Sequence, residues 1–286
     1  MEASLCISPP WALIVTGDRL QKWPLGLVVP IQDPTPFSPF LPGDWPESLG
    51  RVRSAGYSCV ELAITHPSHL QPSQLEVLLG KTDLKWVSVT TGQAFWKEAL
   101  SLSSPDEKVR EQALMRVKAH MDLASPFGAV VIIGLIRGKE GEKTFLMEAL
   151  RECADFRKNV RLALEPLNRY ETSLLNTVAE VMEFIEVLNR ENVGILFDTF
   201  HANIEEASIA AAILLAKDRL FHVHVADSNR WIPGFGHLDF SEVWEALDKV
   251  NYKGGLVLEC LPKPDARFLF RPGEVKKRVG LELRPV

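Results

Sequence analysis

Eight short apolar runs, each followed by a helix-like stretch, constrain this chain more than any other feature. They occupy 25–31, 57–64, 84–91, 129–133, 161–165, 193–198, 220–225 and 254–259. The run at 129–133 shows no polar alternation, as expected of a strand covered on both faces. Parallel strands need long crossovers, usually helices. Eight strands with helices between them fit an α/β protein with a single closed (β/α)8 TIM barrel, and 286 residues is an ordinary length for one. The rival, an open doubly wound sheet, calls for a glycine-rich phosphate loop after its first strand. No such fingerprint follows 25–31.

Helices are predicted over 44–55, 71–80, 104–124, 142–159, 173–190, 205–216 and 241–249. The third opens on Ser104-Pro105-Asp106-Glu107, with a polar cap, a proline in the first turn and acids at the positive helix end. Loops are predicted at 32–46, 91–96 and 134–141. Residues 1–24 read as an irregular lead-in and 25–286 as the barrel domain, with a C-terminal tail from about 265. Pro262, Pro264 and Pro272-Gly273 interrupt the end, and 274–284 is basic and poorly amphipathic, so the last helix is expected to be short or displaced.

Lysine and arginine total 32 against 37 acidic residues, a net charge of −5, which argues against a nucleic-acid partner. Cys6, Cys59, Cys153 and Cys260 are scattered, with no CxxC pair to suggest a disulfide framework or a zinc knot. No run of about 18 apolar residues suggests a membrane span. No basic residue precedes Arg19, and Pro9-Pro10 breaks the early apolar patch, unlike a secretory leader. The expectation is a cytoplasmic protein with no membrane partner.

Barrel enzymes carry their chemistry at the C-terminal ends of the strands. Glu165, Asp198, His224 and Glu259 occupy such ends on strands five to eight. Three carboxylates and one imidazole suit a divalent cation such as Mn²⁺ or Mg²⁺. Each residue also has a plain structural reading. Glu165 and Glu259 would serve as rim carboxylates paired with arginine, Asp198 as a helix cap, and His224 as a core histidine. Glu171, His201 and Arg230 stand near enough in sequence to ring the quartet. Trp96, Trp231 and Phe235 are expected in loops at the mouth, as sugar-stacking surfaces or loop anchors, with His66, His69 and His237 as further mouth candidates. His222 shares a strand face with His224 one layer deeper and suits a supporting role. His120 reads as a satisfied helix histidine.

Several stretches carry a family resemblance. They are Leu164-Glu165-Pro166-Leu167-Asn168-Arg169-Tyr170-Glu171, Asp198-Thr199-Phe200-His201-Ala202-Asn203, His222-Val223-His224-Val225-Ala226-Asp227-Ser228-Asn229-Arg230, Pro233-Gly234-Phe235-Gly236-His237 and Leu258-Glu259-Cys260. With Thr91-Gly92-Gln93-Ala94 and Ile132-Ile133-Gly134-Leu135-Ile136-Arg137-Gly138, they resemble the ketose 3-epimerases of the D-tagatose 3-epimerase and D-psicose 3-epimerase type, within the xylose-isomerase-like TIM barrels. The resemblance implies that Glu165, Asp198, His224 and Glu259 hold one cation per subunit, Mn²⁺ or Co²⁺, with Mg²⁺ as a further choice. It implies that Glu165 and Glu259 exchange the C3 proton of a ketose through a cis-enediolate. It implies that Glu171, His201 and Arg230 hold the O1–O2 end, and that the assembly is a homodimer or homotetramer. D-Tagatose, D-fructose, D-psicose and L-ribulose all remain open, as does inversion at C4.

Three other functions stay open: an aldose–ketose or hydroxypyruvate isomerase on the same site, an abasic-site endonuclease, and a non-catalytic sugar-binding protein. The endonucleases of this superfamily use three zinc ions and many more than the seven histidines present here.

Overall fold

The computed structural model describes residues 22–261. The expected last helix, the tail and most of the lead-in lie outside them. The strands are β1 (Leu25–Pro30), β2 (Cys59–Ala63), β3 (Lys85–Thr90), β4 (Val130–Ile133), β5 (Leu162–Leu164), β6 (Val193–Asp198), β7 (Leu220–Val225) and β8 (Leu256–Leu258). They close in chain order into a parallel barrel, with β1 paired to β8. Around it lie α1 (Trp45–Ser54), α2 (Pro72–Thr82), α3 (Gly92–Glu98), α4 (Glu107–Ala124), α5 (Lys143–Phe156), α6 (Val178–Leu188), α7 (Thr199–Glu205), α8 (Ile209–Ala216) and α9 (Phe240–Lys249).

Local chemistry sets several boundaries. Asp106 caps α4 by accepting from the Lys108 N–H at 2.9 Å. Thr177 and Glu180 form a reciprocal capping box, so α6 starts at Val178 rather than at 173. Asn189, in the left-handed region at φ 54°, stops it. The helix expected over 205–216 starts later, as α8, and a separate short helix, α7, precedes it. α7 begins directly at Asp198, whose carboxylate caps it through the Phe200 N–H, and the chain extends at Glu206 before Ser208 caps α8. The loop expected over 91–96 is largely α3, too short to display a helical period in sequence.

The core has two parts. Most buried apolar side chains lie between sheet and helices, including Val60, Leu62, Val89, Leu162 and Ile195. Two small clusters stand apart: Val28, Cys59, Ala63, Val87 and Val257, and Val130, Ile132, Ala163 and Leu196. Apart from Val87 beside the bulge, the period of two along a strand puts them on the face that also carries Glu61, Glu165, Asp198, His224 and Glu259, the barrel interior. Truncating a buried strand residue such as Leu162 to alanine would cost about 2–5 kcal/mol. No helix among the described residues is long and apolar enough to cross a membrane.

Candidate active site

β5 to β8 end in adjacent register, and a carboxylate or imidazole stands at or just beyond each end. Asp198 pairs with His224 across the β6–β7 ladder, beyond a register shift between Ile195 and Leu196. The Glu165 N–H bonds to the Ile133 carbonyl at 3.2 Å, which carries β5 one residue past its ladder. Glu165, Asp198, His224 and Glu259 each offer one donor atom, and these atoms all lie within 4.8 Å of one another. His224 Nδ1 is 3.5 Å from Glu259 Oε2 and 3.8 Å from Glu165 Oε1.

Two of these buried atoms, Glu165 Oε1 and His224 Nδ1, have no hydrogen-bond partner. Buried polar atoms are rarely left so. Unpartnered lone pairs converging with two further carboxylates suit a divalent cation, so the donor set fits the one expected from the sequence. Burial, reinforced by the Glu259 charge, pushes the Glu165 carboxyl well above its ordinary value. Burial also raises Asp198, although the Arg230 guanidinium opposes it.

Arg230 is the counter-charge. It donates to Asp198 Oδ2 at 3.1 Å and to Glu259 Oε2, and faces His201 Nε2 at 3.1 Å. Burial alone would lower its pKa, but Asp198 and Glu259 outweigh that and hold the guanidinium charged. Its backbone adopts a left-handed φ of 60°. Asp227 secures this turn by accepting the Ser228, Gly234 and Leu238 N–H groups. Two structural readings therefore coexist with a ligand role: Asp198 does cap α7, and Glu259 does pair with an arginine.

His201 is buried on α7, with Nδ1 2.7 Å from Asn168 Nδ2, and burial with the nearby Arg230 charge keeps it well below its ordinary pKa. Glu171 is partly exposed and accepts from Asn168 at 3.4 Å. Burial raises its carboxyl too.

Glu165, Glu171, His201, His224, Arg230 and Glu259 all border one cavity of about 490 Å³, within the range of small-molecule sites. Its other side is formed by the loop after β1, with Pro34, Pro36 and Phe37, and by Trp96. Trp96 therefore lies on a helix rather than in a loop, exposed, with Lys139 Nζ 4.6 Å from its ring. Two candidates from the sequence, His66 and Trp231, are not among the lining residues. His66 stacks on His69 at 5.0 Å, and Trp231 packs against Phe235 at 4.3 Å. His237 bonds to Ser228 at 3.0 Å and also lies outside the lining.

Three residues take roles that the sequence did not assign. Glu61, mid-strand in β2, bonds to both His222 and His224 inside the barrel. Burial opposes its ionisation, but His224 and His222 pull it below the usual carboxylate range. Its signal was a lone charge within the apolar run Cys59-Val60-Glu61-Leu62-Ala63. Arg137, wholly buried, donates to the Gly134 and Ile133 carbonyls at 3.1 and 3.2 Å and to Leu174 at 3.3 Å. It ties the loop after β4 to the one after β5. Burial lowers it to about 10, so it stays charged at neutral pH near Glu165 and Glu171. Gly134 leaves room for the site: a Cβ there would stand 2.9 Å from Glu165 Oε2.

Residues 49–274 match the family model described as xylose isomerase-like TIM barrel. A D-psicose 3-epimerase of Enterocloster bolteae is 42% identical over 230 residues, 76% of each chain. A 3-dehydro-D-guloside 4-epimerase of Escherichia coli K12 is 38% identical over 125 residues, 43% of this chain and 48% of that protein. The crystal structure of a D-psicose 3-epimerase from Clostridium cellulolyticum H10, solved with D-tagatose, superposes with a TM-score of 0.71 at 27% identity, covering 84% of this chain and 86% of that one. The chain belongs to the xylose isomerase-like TIM barrel family, and its place there is with the ketose 3-epimerases.

Proposed function

We propose that the protein epimerises a free ketose at C3, with a divalent cation held by Glu165, Asp198, His224 and Glu259. One observation carries this reading. Glu165 and Glu259 stand at the ends of non-adjacent strands, border the same cavity, and both approach His224 Nδ1. Inverting a carbon by deprotonation needs a base on one face and an acid on the other.

The C3 hydrogen of a ketose is α to the C2 carbonyl. One glutamate accepts that proton, and the other returns a proton to the opposite face of the flat enediolate. Arg230, His201 and Glu171 border the same cavity, and this reading assigns them the sugar's vicinal oxygens. Trp96 and Phe37 offer apolar surface to the distal carbons. A divalent cation bound to the quartet would neutralise the converging carboxylates and draw charge from the substrate carbonyl. Mn²⁺ and Co²⁺ suit this mixed donor set, and Mg²⁺ suits its carboxylates.

The likeness to a 4-epimerase favours a second reading, with the same chemistry on a sugar whose ketone is at C3 and whose acidic hydrogen is at C4. One assay tests both. The protein is incubated with Mn²⁺ in D₂O with a panel of ketoses and 3-keto sugars, and products are resolved by chromatography and NMR. Deuterium at C3 without aldose formation is the expected result. Deuterium at C4 selects the second reading, and aldose formation or no exchange overturns the proposal.

A further inference from the structure

Glu61 reaches across the barrel from β2 to β7. It is wholly buried, and its Oε2 accepts the Ser88 hydroxyl at 2.6 Å. The same oxygen lies 3.1 Å from His222 Nε2 and 3.0 Å from His224 Nε2. Ser88 Oγ is also 3.0 Å from His222 Nε2. An ionised carboxylate only accepts hydrogen bonds, so Nε2 of His224 must carry its hydrogen toward Glu61. A neutral imidazole protonated there has its lone pair on Nδ1. That is the unpartnered atom, and it faces Glu259 Oε2 at 3.5 Å and Glu165 Oε1 at 3.8 Å. Facing two carboxylate oxygens, Nδ1 calls for a positive centre: a proton in the metal-free protein, where Glu61 and Glu259 favour the charged ring, or a cation in that proton's place.

We propose that Glu61 is a positioning residue: it fixes the Nε2–H tautomer and the ring orientation of His224, so that Nδ1 is presented as the fourth ligand atom of the quartet. Ser88 and His222 hold Glu61 in turn, which gives the deeper histidine its use. A carboxylate behind a ligating imidazole also raises the basicity of the ligand nitrogen. This inference rests on the quartet binding a cation.

The test is a titration of metal-stripped full-length protein with Mn²⁺, following free Mn²⁺ by electron paramagnetic resonance, for wild type and E61Q. Glutamine keeps the volume and one acceptor but removes the charge. We expect wild type to bind at one site and E61Q to bind about 10–100-fold more weakly, while its metal-free thermal transition stays cooperative. Near-equal affinity in a folded E61Q overturns the role of Glu61. Absence of Mn²⁺ binding by the wild type instead overturns the quartet itself. A second measurement needs no variant: the ¹⁵N spectrum of histidine-labelled wild type loaded with Mg²⁺. Hydrogen on Nε2 and none on Nδ1 of His224 is expected, and hydrogen on Nδ1 overturns the inference.

Discussion

The two halves of the barrel mouth differ. Beyond β5 to β8 stand Glu165, Asp198, His224 and Glu259, with the buried Arg230 among them. β1 to β4 fill the interior with Val28, Ala63, Val130 and Ile132, and their loops bring Phe37 and Trp96 to the rim. One half concentrates buried charge, the other apolar surface. Charge aimed at a reacting centre gains strength when water is excluded, and the apolar half supplies that exclusion. The β1–β4 half should therefore govern recognition and stability, and the β5–β8 half turnover. Glu61 breaks the pattern: it belongs to the β1–β4 half by strand and to the β5–β8 half by contact.

The harshest trial of this division is Glu259→Gln. Turnover with saturating Mn²⁺ should fall by about 10³-fold, with the thermal transition little changed and cation binding weakened. An active variant would collapse the distinction. Gly134→Ala probes the border between the halves, since its Cβ would stand 2.9 Å from Glu165 Oε2. Displacing the Glu165 carboxylate should lower kcat by about 10-fold, more than KM moves. A change confined to KM would mean that Glu165 does not act at the reacting carbon.

On the apolar side, Trp96→Ala should raise KM by about 5–10-fold, near 1 kcal/mol of lost ring contact, and leave kcat within about twofold. Equal losses in kcat and kcat/KM would transfer Trp96 to the catalytic half. The smallest effect concerns His120, whose ring nitrogens face the Arg116 and Ile64 carbonyls at 2.8 and 2.7 Å. Burial lowers its pKa from 6.5 to about 4. The unfolded chain thus binds the proton more readily, so this contribution to stability is whole above pH 6.5 and is lost as pH falls toward 4. In His120→Gln, chemical denaturation should show a shallower loss of stability over that window, with turnover at neutral pH retained. An unaltered slope would show that His120 is not what titrates there.

Much of this was legible in the chain. β6 and β7 were readable to the residue, because an apolar run ends in Asp198 and the alternation of histidine with apolar residues over 221–225 ends just past His224. The quartet followed from where those runs end, since strand ends share one rim. Glu61 did not emerge, because its partners lie 161 and 163 residues away and only closure of the barrel brings them together. Its isolated charge marked it as unusual without naming a role. His66 and Trp231 were drawn to the mouth by their nearness in sequence to strand ends. The direction of a loop side chain depends on packing that sequence spacing does not encode: His66 turns to His69 and Trp231 to Phe235.

The bare Cα of Gly134 has a practical consequence for anyone widening the range of sugars accepted. Gly134, Leu135 and Lys139 all border the cavity, so the segment after β4 is a natural target for randomisation. Members of such a library that carry a side chain at 134 would crowd the neighbouring carboxylate and lose turnover, which masks what they gained in fit. Diversity is better spent at Leu135 and Lys139, with the buried Arg137 between them left in place.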